Sequence, residues 1–189
     1  YERQIVLVEA ITDGVSGWGE VTAGENPFYN EEWTGSIWPL LIDYVGPRVV
    51  GHEFSSAAEV GARTAHIRGH NMARGGVEAA IWDLEARLRE EPLWKTIGGG
   101  VHRQISCGVS IGIQDSVAEL LAKIETELAA GYQRIKLKIK PGWDVDVIRQ
   151  VRERFPAIRL MADANSAYTL RDVAHLKKLD EFFLMMIEQ

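Results

Sequence analysis

Residues 134–140 read RIKLKIK. Ile135, Leu137 and Ile139 alternate with Lys136, Lys138 and Lys140, the period-two pattern of a strand with two unlike faces. The aliphatic face suits packing against helices. The cationic face has two readings. On an edge strand it is solvated, and the lysines are bland. Inside a barrel it is partly desolvated, and burial disfavours the charged form of an amine, so an inward lysine becomes a usable base. A second ammonium beside it would lower its pKa further.

The residues on either side of this stretch favour the barrel. Strands expected over 105–113, 132–139, 158–163 and 182–188 alternate with helices over 116–131, 144–155 and from Thr169 onward. Ser116 with Glu119, and Thr169 with Asp172, have the spacing of helix-opening capping boxes, and Gly131 closes a helix. Strands alternating with helices across short loops imply right-handed βαβ units and a parallel sheet. Lys138, Asp163 and Glu188 recur at intervals of 25 residues, each near the C-terminal end of its strand. Those ends are where a βα barrel builds its active site. An open doubly wound sheet also binds there, but neither GxGxxG nor GxxxxGK[ST] occurs, so no nucleotide fingerprint supports that alternative.

The carboxylates sharpen the reading. Glu188 closes the apolar run FFLMMIE, where a buried charge is costly unless paired or bound to a cation. Asp163 lies in LMADANSAY and shares a strand face with Asn165. Two carboxylates on neighbouring strand ends make a hard-oxygen site suited to Mg²⁺, or another divalent cation such as Mn²⁺. Structural ion pairs with the lysines are the plainer alternative.

Residues 1–98 have a different rhythm. QIVLVEAITDGVSGWGEVT (4–22) reads as two strands around an Asp13-Gly14 turn. Helices are expected over 31–45, 55–67 and 71–89. The glycine- and tryptophan-rich SGWGE and the 71–89 helix read as packing rather than binding motifs. His66 and His70 in HIRGH have helical spacing, but no glutamate follows the first histidine and no cysteine pair is near, so zinc is not expected. The expected domains are an α+β domain over 1–98 and βα units over 99–189.

The 189 residues carry a formal charge of −6 without a basic tract, which gives no footprint for nucleic acid. No apolar run approaches a membrane span. One cysteine, Cys107, excludes an internal disulfide and fits a reducing cytoplasm. The first residue, Tyr1, opens in a strand-like pattern and Gln189 comes directly after an apolar run, so both ends read as internal to a longer polypeptide.

Five stretches, PFYNEE (27–32), CGVSIGI (107–113), RIKLKIKPGWD (134–144), DANSAYTL (163–170) and LMMIEQ (184–189), resemble the enolase superfamily. Within it they are similar to the muconate-lactonizing-enzyme subgroup, and more closely to the o-succinylbenzoate synthase / N-acylamino acid racemase family. The resemblance implies an α/β fold, with an α+β capping domain before a modified TIM barrel, of which this chain holds the first half. It implies Lys138 as catalytic base, Lys136 as its supporting lysine, and Asp163 and Glu188 as metal ligands. Asn165, Ser110 and Tyr29 match substrate-binding positions. A third metal carboxylate and a second catalytic lysine belong to later strands of that family and are absent here. So is an early capping loop. The implied chemistry is abstraction of a proton α to a carboxylate, leaving a metal-stabilised enediolate. The implied partner is a small-molecule carboxylate, with a homo-oligomer expected at full length. Dipeptide epimerase and muconate cycloisomerase activities, a non-catalytic fragment, and a sugar- or phosphate-binding βα domain are the rival readings.

Overall fold

The first elements form a hairpin, β1 (Val6–Thr12) and β2 (Val15–Val21), paired antiparallel from Val6 opposite Val21 to Thr12 opposite Val15. Asp13 and Gly14, the two turn residues, both have positive φ, 48° and 78°. That two-residue geometry matches the twist of the flanking strands. The computed structural model describes residues 2–100, 102 and 104–189. They divide into two compact units, Tyr1–Val101 and His102–Gln189.

In the first unit the hairpin is succeeded by α1 (Thr34–Leu40), a π-helical turn (Leu41–Val45), α2 (Gly46–Val49), α3 (Ala58–Thr64), α4 (Asn71–Leu88) and α5 (Leu93–Thr96). The helix expected over 31–45 starts only at Thr34, because Glu32 is used elsewhere. Its buried carboxylate accepts the Met72 and Ala73 backbone N–H groups at 2.8 and 2.9 Å. It thereby caps α4 from 40 residues away, where His70, at φ 52°, offers no side-chain cap. The glycines of SGWGE permit backbone-on-backbone packing. A Cβ on Gly17 would lie 2.2 Å from the Leu84 nitrogen, and one on Gly19 would lie 2.0 Å from the Gly76 carbonyl oxygen.

The second unit is a four-stranded parallel sheet in the order β3 (Gly108–Ile111), β4 (Arg134–Lys138), β5 (Arg159–Asp163), β6 (Met186–Glu188). Between strands run α6 (Val117–Ala129), α7 (Val145–Arg154) and, after β5, a 3₁₀ turn, α8 (Val173–Leu176) and a second 3₁₀ turn. Ser116 Oγ accepts the Glu119 N–H at 3.2 Å, and Thr169 and Asp172 form their capping box. Ile135, Leu137, Leu160 and Ala162 face one way and pack with Leu120, Ile124, Ile148 and Val151. Burial of each large aliphatic side chain contributes roughly 1.5–3 kcal/mol. The opposite face carries Lys136, Lys138 and Asp163. The last strand is shorter than the expected 182–188. Phe182 ends a 3₁₀ turn and Phe183 reverses the chain at φ 47°. Among the described residues no helix is long and apolar enough to cross a membrane.

Candidate active site

The register of the parallel sheet sets the site. Lys138 is the direct partner of Asp163, and Asp163 of Glu188. One ionisable residue per strand therefore forms a row across three strand ends. Backbone bonds from Ile139 N to Asp163 O (2.9 Å) and from Ala164 N to Glu188 O (2.8 Å) carry the ladder past the row and hold its spacing. Two residues back, Ser110 is paired with Lys136. Ser110, Lys136, Met161, Met186 and Glu188 line a groove of about 320 Å³ on this face.

Asp163 is the centre. It is 1% exposed. Its Oδ2 accepts from Lys138 Nζ at 2.6 Å and from Lys136 Nζ at 2.9 Å, and its Oδ1 accepts the Asn165 N–H at 3.0 Å. Burial alone would push this carboxyl up. The hydrogen bonds from Lys138, Lys136 and the Asn165 backbone together outweigh it and bring the pKa down to about 2.

Lys136 Nζ also reaches Glu188 Oε2 at 2.9 Å. The hydrogen bonds to Glu188 and Asp163 hold its pKa above the ordinary lysine value. This is opposite to the lowering expected of an inward lysine, because anionic partners outweigh desolvation. Glu188 stands on β6, the last strand in the order β3-β4-β5-β6, with its side chain 46% exposed.

Lys138 Nζ donates to Asn165 Oδ1 at 2.5 Å as well as to Asp163. Asn165 and Ser166 have φ of 45° and 62°. Two successive left-handed non-glycine residues cost on the order of 1–3 kcal/mol each. The strained turn takes the chain off β5 so that the Asn165 amide meets the lysine. Lys140 is bland, as its place at the strand end implies. It is exposed and closes a Pro141-Gly142 turn with Trp143.

The structure thus gathers Lys136, Lys138, Asp163, Asn165 and Glu188, with Ser110 on the same face. Tyr29 lies 81% exposed in the loop between β2 and α1 of the first unit. His66 accepts a 2.7 Å hydrogen bond from Arg48 Nε, and His70 stands at the start of α4. Among the described residues no group of three or more histidine, cysteine or acidic side chains is placed to hold a metal ion. Asp163 and Glu188 are a pair, and one ammonium touches both. Their oxygens therefore converge on a common cation position, as a hard divalent cation would require of two of its ligands.

One cluster escaped sequence reading. Asp144, before α7, is buried. It accepts the Tyr168 hydroxyl at 2.7 Å and meets His175 Nε2 at 2.8 Å. The only sequence signal is an acidic residue at a helix start, which many helices share.

Residues 1–98 match the family model "Mandelate racemase / muconate lactonizing enzyme, N-terminal domain", and residues 119–189 match "Enolase C-terminal domain-like". The chain is 51% identical over 188 residues to an o-succinylbenzoate synthase of Geobacillus kaustophilus, covering 99% of this chain and 50% of that one. It is 44% identical over 188 residues to an N-succinylamino acid racemase of Thermus thermophilus, covering 100% and 51%. A solved enolase-superfamily structure from Listeria innocua superposes with a TM-score of 0.92 at 38% identity, over 98% of this chain and 50% of that one. The chain spans about half the length of the curated relatives it matches. With Lys138, Asp163 and Glu188 in one row across parallel strand ends, and with both family models matched in order, the chain belongs to the mandelate racemase / muconate lactonizing enzyme family of the enolase superfamily.

Proposed function

We propose that this chain supplies the capping domain, over 1–98, and the first βα units, over 99–189, of a Mg²⁺-dependent enzyme. That enzyme makes o-succinylbenzoate by dehydration, racemises N-succinylamino acids, or does both. The observation that carries the reading is Lys138, held beside a buried carboxylate at a strand end by two hydrogen bonds. In its neutral form Lys138 Nζ takes the proton α to the substrate carboxylate. Taking that proton recreates an ammonium beside Asp163 and Asn165, so the charge formed on the enzyme is met by groups already in place. Lys136 balances the charge of Asp163 and Glu188 and orients both. Asp163 and Glu188 would hold the cation, whose charge would stabilise the negative charge that builds on the substrate carboxylate. Ser110, Asn165 and Tyr29 are assigned to substrate contact. The acid that returns a proton on the opposite face is not among these residues, in keeping with a chain half the length of its relatives. The activity is assigned to the cytoplasm, since a chain with one cysteine requires no oxidising compartment.

On this reading the two activities named for the relatives share the abstraction of the α-proton and differ in the fate of the carbanion. Exchange of the substrate α-proton in D₂O, monitored by NMR, tests that shared step in the full-length protein. Lys138→Ala is expected to abolish it. Undiminished exchange in Lys138→Ala would place the base elsewhere, and no exchange in wild type would favour a binding domain with surface lysines instead. Parallel assays of dehydration and racemisation then decide which reaction the protein completes.

A further inference from the structure

Asp144 connects parts of the chain that the sheet itself does not. It stands six residues beyond Lys138, at the N-cap of α7. Its Oδ1 accepts its neighbour's Val145 N–H at 2.7 Å. Its Oδ2 accepts the Tyr168 hydroxyl at 2.7 Å and contacts His175 Nε2 at 2.8 Å. Tyr168 lies three residues beyond Asn165, and its ring and that of His175 are stacked with centroids 6.5 Å apart. The Tyr168 carbonyl in turn accepts from the Gln189 side chain at 2.6 Å, the residue after Glu188. A single buried carboxylate, 6% exposed, therefore ties the exits of β4 and β5, and the Tyr168 carbonyl joins the exit of β6 to them. These exits carry Lys138, then Asp163 and Asn165, then Glu188. The segment between Asn165 and Tyr168 includes the two strained left-handed residues, which persist only if the surrounding structure fixes them.

We propose that Asp144 is a positioning residue, which through Tyr168 and His175 fixes the Asn165 turn and so the direction in which Lys138 Nζ is aimed. The role rests on Lys138 as the proton acceptor proposed above. It predicts a loss in the proton-transfer step rather than in substrate capture. A misplacement of about 1 Å remote from the reacting atoms costs about 100-fold in rate.

The test uses the full-length protein with Asp144→Asn, Tyr168→Phe and Lys138→Ala. For Asp144→Asn we expect kcat to fall by about 10- to 100-fold with KM changed by less than about threefold. The isotope effect on an α-deuterated substrate should rise, as proton transfer becomes limiting. Tyr168→Phe, which removes one hydroxyl and leaves the ring packed, should shift both quantities in the same direction by less. A purely structural role would lower the folded fraction and leave the isotope effect of the remaining enzyme unchanged, which would overturn the proposal.

A second readout does not depend on turnover. Arylation of lysines by trinitrobenzenesulfonate, mapped by mass spectrometry, should label Lys138 several-fold faster in folded Asp144→Asn than in wild type, with Lys177 unchanged. Equal Lys138 labelling would overturn the positioning role. Turnover that survives Lys138→Ala would instead remove the proton-abstraction reading, and the labelling would still decide whether Asp144 sets the lysine's hydrogen bonds.

Discussion

Lys138 Nζ lies 2.6 Å from Asp163 Oδ2, and the two residues are direct partners in the β4–β5 ladder. Removing Lys138 leaves Asp163 with Lys136 and the Asn165 N–H as partners. Lys138→Ala should therefore have two effects. α-Proton exchange should drop by at least about 100-fold. Stability should fall by about 1–3 kcal/mol, because Asp163 stays buried with one charged partner fewer. Urea denaturation monitored by circular dichroism measures the second effect independently of any substrate.

Divalent-cation binding should depend on the Asp163–Glu188 pair. Chelation with EDTA should stop turnover and added Mg²⁺ should restore it. Asp163→Asn should weaken Mn²⁺ binding by at least about tenfold by calorimetry. Equal affinity in wild type and variant would place the cation elsewhere.

Adjacent glycines in α4 should respond oppositely to the same substitution. Nothing lies within 4 Å of a Cβ placed on Gly75, whereas one on Gly76 would meet Val21 Cγ2 at 2.5 Å. Gly75→Ala should stabilise by about 0.5–1 kcal/mol, through helix propensity and a less free unfolded chain. Gly76→Ala should destabilise by about 1–3 kcal/mol. Urea midpoints of the two variants give the comparison.

Acid should act through Asp144. Burial would raise its carboxyl pKa, but Tyr168, His175 and the Val145 N–H together hold it below the ordinary value. A group with a depressed folded pKa contributes stability that is fully present above its unfolded value, about 4. That contribution is lost as pH falls through the folded value. The stability gap between wild type and Asp144→Asn should shrink as pH falls below about 4. A gap that persists to pH 3 would show that the charge of Asp144 is not what stabilises the fold.

Local patterns carry much of this fold. The alternation at 134–140 marks β4 and its two faces, and the capping signals at Ser116 and Thr169 each open a helical segment in the structure. Equal spacing of Lys138, Asp163 and Glu188 anticipates their row, because each βα unit returns the chain to the same end of the sheet. Two features are out of reach of such patterns. Glu32 caps a helix 40 residues away, a pairing no local window contains. The direction of the Lys136 shift depends on carboxylates from two other strands.

The in-register pairing of Lys138, Asp163 and Glu188 separates chemistry from the connecting segments. Spacing along the row is set by backbone hydrogen bonds between strands, about 4.8 Å per step, and not by the length of α7 or α8. Away from Asp144, Tyr168 and His175, residues can be added to or removed from those connections without moving one reacting group relative to the next. A slip of a single residue within a strand, by contrast, would rotate its ionisable group to the helix side. Length variation should therefore accumulate in the helices and loops, while the strands tolerate substitution but not insertion.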